Sequence, residues 1–248
     1  MVRLAGHVAV VTGGAGAIGA AIARAFAAEG AAVAVLDQDA AALAAADLPP
    51  GTARIPCDVS DAESVDWAVV SARAAVGPAS VLVNNAGISI TGGVEEMDEA
   101  DWDRTFAVNV KSVFLMSRRI LPDMRARGAG SIINVASESA FIGFAMHPAY
   151  CASKAAMVQL SRSMANRYAP DRIRVNALCP GTIDTPLYRR FIAQQADPEG
   201  VHASVVAMHP LGLGTAKDIA HAAVYLAADE SRYATGAAFL VDGGATAV

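Results

Sequence analysis

Short apolar segments rich in branched residues alternate along this chain with segments of helix-forming residues, about one pair for every 25 to 30 residues. The predicted strands are residues 7–12, 31–36, 52–57, 80–83, 130–136, 173–178 and 237–241. Such alternation is typical of a parallel sheet with helices on both faces. We therefore predict an α/β fold with a single doubly wound parallel sheet of about seven strands. Because neither a repeat nor a linker interrupts the pattern, we expect one domain over residues 1–248.

A glycine-rich turn, TGGAGAIG at residues 12–19, connects the first predicted strand to a helix over residues 20–29. Glycine permits the tight turn, and the N-terminus of the following helix presents free N–H groups to a pyrophosphate. The turn therefore predicts a dinucleotide site. The cofactor contacts expected here are Gly13, Ala15, Ala17, Ile18 and Gly19.

The second predicted strand ends at Asp37, 18 residues beyond Gly19. A carboxylate at this point accepts hydrogen bonds from a ribose 2′-hydroxyl and repels a 2′-phosphate. Gln38 follows and no basic residue stands beside it, so we predict NAD rather than NADP. The alternative is that Asp37 only starts the next turn or caps the helix that begins near Asp39.

Four of the residues singled out lie at the carboxyl ends of predicted strands: Gly13, Asp37, Asp58 and Asn85. Ligands of open parallel sheets bind at that edge. The shared position strengthens the prediction of a nucleotide site.

Tyr150 and Lys154 lie four residues apart in a helix predicted from Pro148 to about Tyr168. Proline suits the first position of a helix, and a spacing of four places both side chains on one face. The helix dipole and the lysine charge both favour a phenolate, so we expect the pKa of Tyr150 to fall from about 10. A tyrosine tuned in this way exchanges a proton with an alcohol. The alternative is an amphipathic helix that carries the two residues by chance.

Two further polar residues lie near the predicted edge. A helix is expected from about Glu99 to Leu121, with Asn109 inside it and Pro122 at its far end. Ser137 lies at the C-terminal end of the fifth predicted strand. Each also has a structural interpretation, because serine often caps a turn and asparagine often satisfies helix backbone.

At this point the chain resembles the short-chain dehydrogenase/reductase family over essentially its whole length. The pieces that carry the resemblance are TGGAGAIG (12–19), DV (58–59), NNAG (84–87), Asn109, Ser137, YCASK (150–154) and PGTIDT (180–185). Ala17 departs from the family pattern, which often has glycine there. The resemblance implies a Rossmann-like fold.

The resemblance also implies roles for individual residues. Tyr150 is the general acid/base, Lys154 lowers its pKa and binds the nicotinamide ribose, and Ser137 orients the substrate oxygen. Asn109 holds a water that links Lys154 to solvent. The remaining cofactor contacts implied are Asp58, Val59, Asn85, Ala86, Gly87, Tyr150, Pro180, Gly181, Ile183 and Thr185.

The segment from residue 182 to about 213 is the least regular part of the sequence and resembles the substrate lid of the family. Leu187, Tyr188 and Arg189 are its candidate substrate contacts, with Ser139 and His147 on the opposite wall. Arg189 or the adjacent Arg190 would suit a substrate carboxylate. The alternatives are a solvated arginine pair and an exposed turn histidine.

Charge and cysteine content exclude several other classes of protein. A net charge of −5 without a basic cluster argues against nucleic-acid binding. Cys57, Cys151 and Cys179 match neither a disulfide framework nor a metal site, so we expect free thiols, no metal and a cytoplasmic protein. Glycines interrupt the apolar N-terminal run, which excludes a signal peptide or a membrane span. The family resemblance implies a tetramer.

The function predicted from these residues is hydride transfer between NAD and a secondary alcohol or ketone, with a small polyol, sugar, sugar acid or hydroxy acid as the small-molecule substrate. Two alternatives stay open. The same fold and cofactor serve a non-redox net reaction in an epimerase or dehydratase, or the chain is a silent nucleotide-binding protein.

Overall fold

A computed structural model of the chain describes residues 2–247. Its centre is one sheet of seven parallel strands in the order β3-β2-β1-β4-β5-β6-β7. The strands are β1 (Val8–Thr12), β2 (Ala32–Asp37), β3 (Ala53–Pro56), β4 (Val81–Asn84), β5 (Gly130–Val135), β6 (Ile173–Pro180) and β7 (Ala238–Val241). The order reverses between β1 and β4, and ligands of doubly wound sheets bind at such a switch point. The predicted fold class and all seven strands are confirmed.

Nine α-helices accompany the sheet within the described residues. They are α1 (Ala17–Ala28), α2 (Ala40–Ala45), α3 (Ala62–Val76), α4 (Glu99–Phe106), α5 (Ser112–Arg127), α6 (Pro148–Tyr168), α7 (Pro186–Ala193), α8 (Pro198–Ala207) and α9 (Ala216–Ala227). One apolar core packs α1 and α9 on one face of the sheet, around buried Phe26 and Ile219. The other packs α3 and α5 on the opposite face, around buried Val65 and Met116. With helices on both faces, the central strands β1 and β4 are almost fully buried and mostly apolar, as is usual in parallel sheets.

Local signals fix several helix ends. The Asp61 carboxylate accepts a hydrogen bond from the Ser64 N–H and caps α3, which stops at Gly77 with φ +94°. Pro148 is the first residue of α6, which ends at Tyr168 as predicted. A missing N–H costs nothing in a first turn, and glycine adopts positive φ without strain.

The single helix predicted over 99–121 is wrong in two respects. A π-helical turn, Ala107–Lys111, separates α4 from α5. Helix α5 then continues through Pro122 to Arg127. Leu121 and Met124 are buried on either side of Pro122, so packing of this face outweighs the one hydrogen bond that proline removes.

The segment 182–213 is more regular than the sequence suggested, because α7 and α8 lie within it. Each helix starts with a capping side chain followed by proline: Thr185 and Pro186 for α7, Asp197 and Pro198 for α8. A capping residue directly before proline is a helix-start signal, and it was available in the sequence.

Three kinds of feature bear on the class of protein. No helix within residues 2–247 has the length and apolar character needed to cross a bilayer. The same residues contain no cluster of three or more His, Cys, Asp or Glu side chains suited to a metal ion. All three cysteines are free thiols.

Candidate active site

A cavity of about 620 Å³ opens at the carboxyl edge of the sheet, above β1, β2 and β4. Most residues predicted to bind the cofactor line it: Gly13, Ala15, Ala17, Ile18, Gly19, Asp37, Asp58, Val59, Asn85, Ala86, Gly87 and Thr185. The fold therefore assembles in one place side chains from five separate stretches of sequence.

The glycine turn leaves no room for side chains where the backbone approaches its neighbours. Gly13 has φ +65°, and a Cβ on Gly19 would lie 2.2 Å from the carbonyl oxygen of Gly13. Helix α1 starts at Ala17 without a side-chain cap and without an acidic residue in its first turn. Its first N–H groups therefore face the cavity at the positive end of the helix dipole, which suits a phosphate.

The Asp37 carboxylate lies against this turn. Its Oδ2 accepts a hydrogen bond from the Ala15 N–H at 3.0 Å, and its Oδ1 accepts one from the Asp39 N–H at 3.1 Å. Asp37 thus starts the next turn, as one alternative proposed, but Asp39 caps α2. A carboxylate has about four acceptor positions, so Asp37 retains capacity for a ligand.

Asp58 and Asn85 also make structural contacts. The Asp58 Oδ1 atom accepts hydrogen bonds from the N–H and the hydroxyl of Ser60 at 2.9 and 2.7 Å. The Asn85 amide donates to the carbonyl oxygens of Thr12 and Gly13. These contacts fix the cavity wall and tie the NNAG segment to the glycine turn.

Lys154 is buried beneath the cavity, with 4% of its surface exposed. Its Nζ donates to the carbonyl oxygen of Val135 at 2.8 Å and lies 5.5 Å from the centre of the Tyr150 ring. Burial lowers the pKa of Lys154 to about 8. The predicted pairing of lysine and tyrosine on one face of α6 is present.

The prediction that the pKa of Tyr150 falls is wrong for the protein without a bound cofactor. Burial raises this pKa above 10, and the Ser137 hydroxyl beside the phenol opposes the rise only in part. The helix reasoning omitted desolvation, which disfavours the phenolate. It also assumed that the ammonium faces the phenol oxygen, whereas it is hydrogen-bonded to Val135.

Ser137 lies two residues after β5 and caps a short 3₁₀ turn, Glu138–Ala140. Its Oγ accepts a hydrogen bond from the Ser139 N–H at 3.1 Å. The turn-capping interpretation therefore describes one of its contacts. Because the hydroxyl also faces Tyr150, the two interpretations are compatible.

Asn109 is fully buried in the π-helical turn. Its Oδ1 accepts from the Ile88 N–H at 2.8 Å, and its Nδ2 donates to the Ile88 carbonyl and to the Ser153 hydroxyl, each at 2.9 Å. The structural interpretation, in which Asn109 bonds helix backbone, is thus correct only in part. Asn109 satisfies the backbone of the loop after β4 rather than that of its own helix. Ser153, which the sequence reasoning passed over, donates in turn to the Tyr150 carbonyl at 2.7 Å.

Gly87 lines the cavity and lies next to the side chains of Asn109 and Lys154. A Cβ there would lie 3.3 Å from Asn109 Oδ1 and 3.4 Å from Lys154 Nζ. The dinucleotide cavity and the polar cluster are therefore contiguous.

Five predicted cofactor contacts do not line the cavity: Tyr150, Lys154, Pro180, Gly181 and Ile183. Pro180 is the last residue of β6, and Gly181 packs on the backbone of Asp242. Ile183 is buried and pairs with Gly214. The contact predicted for the Ile183 backbone stays a prediction.

The predicted substrate residues divide between two places. Leu187 lines the cofactor cavity together with Arg190. Tyr188 and Arg189 line a separate cavity of about 640 Å³ between α7 and α8. Arg189 donates two hydrogen bonds of 2.7 Å to the Asp184 carboxylate, and its contact with substrate stays a prediction.

Ser139 and His147 line neither of these two cavities, and their place on the opposite wall of a substrate pocket stays a prediction. Ser139 is 3% exposed, and its hydroxyl has no hydrogen-bond partner within the described part of the chain. His147 is half-buried, its Nδ1 is 3.1 Å from the Ser89 hydroxyl, and its ring lies 6.3 Å from that of Phe191 on α7. Burial lowers the pKa of His147, so its imidazole is neutral at pH 7.

A parallel sheet with a glycine turn at its switch point, and a tyrosine and a buried lysine beside the cavity, define the class of dinucleotide-binding α/β proteins. The family model described as "Enoyl-(Acyl carrier protein) reductase" matches residues 13–246. A 2-(S)-hydroxypropyl-CoM dehydrogenase of Xanthobacter autotrophicus is 43% identical, with 99% of each chain covered. A galactitol 2-dehydrogenase (L-tagatose-forming) of Cereibacter sphaeroides is also 43% identical, over 98% of this chain and 96% of the relative.

A solved structure described as a short-chain dehydrogenase/reductase from Burkholderia xenovorans superposes with a TM-score of 0.93 at 39% identity, covering 99% of this chain and 98% of that one. The chain belongs to the short-chain dehydrogenase/reductase family and is an oxidoreductase. The resemblance inferred from the sequence motifs is confirmed.

Proposed function

We propose that this protein is an NAD-dependent dehydrogenase that transfers a hydride between the cofactor and a secondary alcohol or its ketone. The observation that carries the proposal is the convergence of Ser137, Tyr150 and buried Lys154 beside the cavity of the glycine turn. Tyrosine is a competent proton carrier for an alcohol when a second group holds the reacting oxygen.

The cavity fits a dinucleotide on three counts. A Cβ on Gly13 or Gly19 would collide with neighbouring atoms, so the glycines keep the turn close-packed against the NNAG segment. The uncapped start of α1 suits a pyrophosphate. Asp37, Gln38 and Asp39 line the far end of the cavity without a basic residue among them, which favours a free 2′-hydroxyl over a 2′-phosphate. When bound, NAD would accept the hydride.

In alcohol oxidation, Ser137 donates a hydrogen bond to the substrate oxygen and orients it toward Tyr150. The phenolate form of Tyr150 accepts the proton of the substrate hydroxyl, while the carbinol carbon of the substrate would lose a hydride to bound NAD. The Lys154 ammonium stabilises the negative charge near the ring and binds the ribose. Asn109 holds the loop at Ile88 and a water on the path from Lys154 to solvent.

The substrate we propose is a small polyol, sugar, sugar acid or hydroxy acid. The names of the two dehydrogenase relatives specify 2-(S)-hydroxypropyl-CoM and galactitol. Leu187, Ser139 and His147 offer one apolar and two polar contacts, and Ser139 has an unused hydroxyl. Residues 182–213 act as the lid over this pocket.

The test is a screen of secondary alcohols at the NADH absorbance band, with galactitol, 3-hydroxybutyrate, gluconate and 2-propanol, each with NAD and with NADP. We expect turnover with NAD, and a loss of about 10²- to 10⁴-fold in Tyr150→Phe. Wild-type turnover in that variant would remove the assignment. Substrate loss without NADH points to an epimerase or dehydratase, and cofactor binding with no turnover points to a silent binding protein.

We also propose a tetramer in the cytoplasm. The exposed aromatic side chains of Trp102 on α4 and Phe114 on α5 support self-association. The three free thiols suit a reducing compartment. Light scattering of wild type and Phe114→Glu tests the assembly: a monomeric wild type contradicts it.

A further inference from the structure

A second group of buried polar side chains lies directly behind Ser137. The side chains of Glu138 and His209 are 3% and 1% exposed, and Glu138 Oε2 lies 3.1 Å from His209 Nε2. Neither residue lines the cofactor cavity. Buried polar groups without a partner are costly, so such a pair is expected to have a defined set of hydrogen bonds.

The hydrogen-bond geometry fixes where the proton lies. His209 Nδ1 is 2.7 Å from the Val205 carbonyl oxygen and must donate to it. The Thr182 N–H, whose direction the backbone sets, donates to His209 Nε2 at 3.0 Å. Nε2 is therefore an acceptor and the imidazole is neutral. The hydrogen between Nε2 and Glu138 Oε2 then belongs to a protonated carboxyl group.

Other contacts agree with this assignment. The Thr182 hydroxyl donates to the second carboxyl oxygen, Glu138 Oε1, at 3.3 Å. Burial, with Asp242 nearby, raises the pKa of Glu138. A neutral acid that donates one hydrogen bond and accepts another costs much less in the interior than an unpaired carboxylate.

The pair joins three separate segments of the site. Glu138 follows Ser137 and begins the 3₁₀ turn. Thr182 precedes Ile183 in the PGTIDT segment. His209 lies two residues after α8, and its carbonyl accepts from the Gly212 N–H at 2.7 Å. The hydrogen bonds of Glu138 and His209 thus connect the 3₁₀ turn after Ser137, the loop after β6 and the base of the segment 182–213.

We propose that Glu138 and His209 are positioning residues, whose hydrogen bond holds Ser137, the loop after β6 and the base of the lid in fixed relative positions. The inference rests on the proposed function, because it assumes that Ser137 orients the substrate oxygen. Glutamine at position 138 can still donate to Nε2 and accept from Thr182, whereas leucine has similar volume and no hydrogen bond.

Hydrogen exchange measured by mass spectrometry tests the positioning without a substrate. In Glu138→Leu and His209→Leu we expect amides in 137–140, 182–185 and 208–212 to exchange at least about tenfold faster, because local opening becomes easier. Glu138→Gln is expected to match wild type. Asp123→Leu, which removes a carboxylate paired with Arg73 far from the site, should leave all three segments unchanged.

Turnover then separates positioning from a general loss of structure. With NAD and whichever of the screened alcohols the wild type oxidises, Glu138→Leu should lower kcat by about tenfold to a hundredfold, as expected for a misplaced catalytic group. Glu138→Gln should restore it, and Asp123→Leu should retain kcat despite lower stability. Equal exchange in Glu138→Leu and wild type overturns the proposal, as does a Gln variant as impaired as the Leu variant. If the wild type oxidises no alcohol, the proposed function fails while the exchange data still decide whether the pair holds the three segments.

Discussion

The Lys154 ammonium lies 5.5 Å from the centre of the Tyr150 ring and donates its hydrogen bond to the carbonyl oxygen of Val135 at 2.8 Å. The lysine thus approaches the phenol over its face; Lys154 is buried and Tyr150 is partly buried. Burial acts on the two in the same sense, because it favours the neutral form of each: it lowers the pKa of Lys154 and raises that of Tyr150.

The raised pKa of Tyr150 predicts how the reaction depends on pH. At neutral pH the phenol is largely protonated, so the base required for oxidation is the minor form. We expect kcat/KM for alcohol oxidation to increase by up to about tenfold per pH unit from pH 6 to 8, while ketone reduction stays nearly level. Initial rates in both directions check this, and an oxidation rate that is flat over that range contradicts it.

Replacing Lys154 should stabilise the fold while it removes activity. With its pKa lowered from 10.5 to about 8, the buried ammonium destabilises the native state below pH 8, and this penalty disappears as pH rises toward 10.5. We expect Lys154→Met to increase the free energy of unfolding at pH 7 by roughly 1–3 kcal/mol. Urea titrations at pH 7 and pH 10 measure the difference.

Lys111→Met is the matched control for this substitution, because Lys111 is exposed on the π-helical turn. Its effect on stability should stay within about 0.5 kcal/mol at either pH. A loss of stability at pH 7 in Lys154→Met would mean that the lost hydrogen bond to Val135 outweighs the relief of the buried charge.

Asp37→Asn should weaken the preference for NAD. The variant keeps an acceptor for the Ala15 N–H but loses the charge that repels a 2′-phosphate. We expect NAD to bind about tenfold more weakly and NADP more tightly than in wild type. Titration of NADH and NADPH fluorescence checks both. Asp61→Asn, at the cap of α3, is the control, and an unchanged NAD to NADP ratio in Asp37→Asn would refute the role.

Gly19→Ala should impair cofactor binding. Its Cβ would lie 2.2 Å from the Gly13 carbonyl oxygen and 2.8 Å from the Asn85 amide nitrogen, so the turn must shift. We expect NADH affinity to fall by about tenfold or more. Gly143→Ala is the control, since a Cβ there meets nothing within 4 Å. Equal affinities in the two variants would show that the turn does not need this close approach.

The features predicted correctly from the sequence are those encoded locally. Strand β1, the glycine turn and α1 follow from branched residues, conformational freedom and helix propensity within about 20 residues. The spacing of Tyr150 and Lys154 in α6 follows from helix geometry. The meeting of Gly13, Asp37, Asp58 and Asn85 at one cavity follows from a rule of parallel sheets, because strand ends meet at one edge.

Other features depend on contacts between distant segments. The π-helical turn at Asn109 depends on the loop at Ile88, to which its amide is bonded.

The sequence by itself determined the order of strands and helices, the dinucleotide turn, and the identity of the polar residues at the sheet edge. Only the tertiary structure decided the direction of the pKa shift at Tyr150 and the pairing of Glu138 with His209, which are 71 residues apart. The physical reason is that periodicity and turn chemistry act over neighbouring residues. Desolvation and buried hydrogen bonds depend instead on what the folded chain packs around each group.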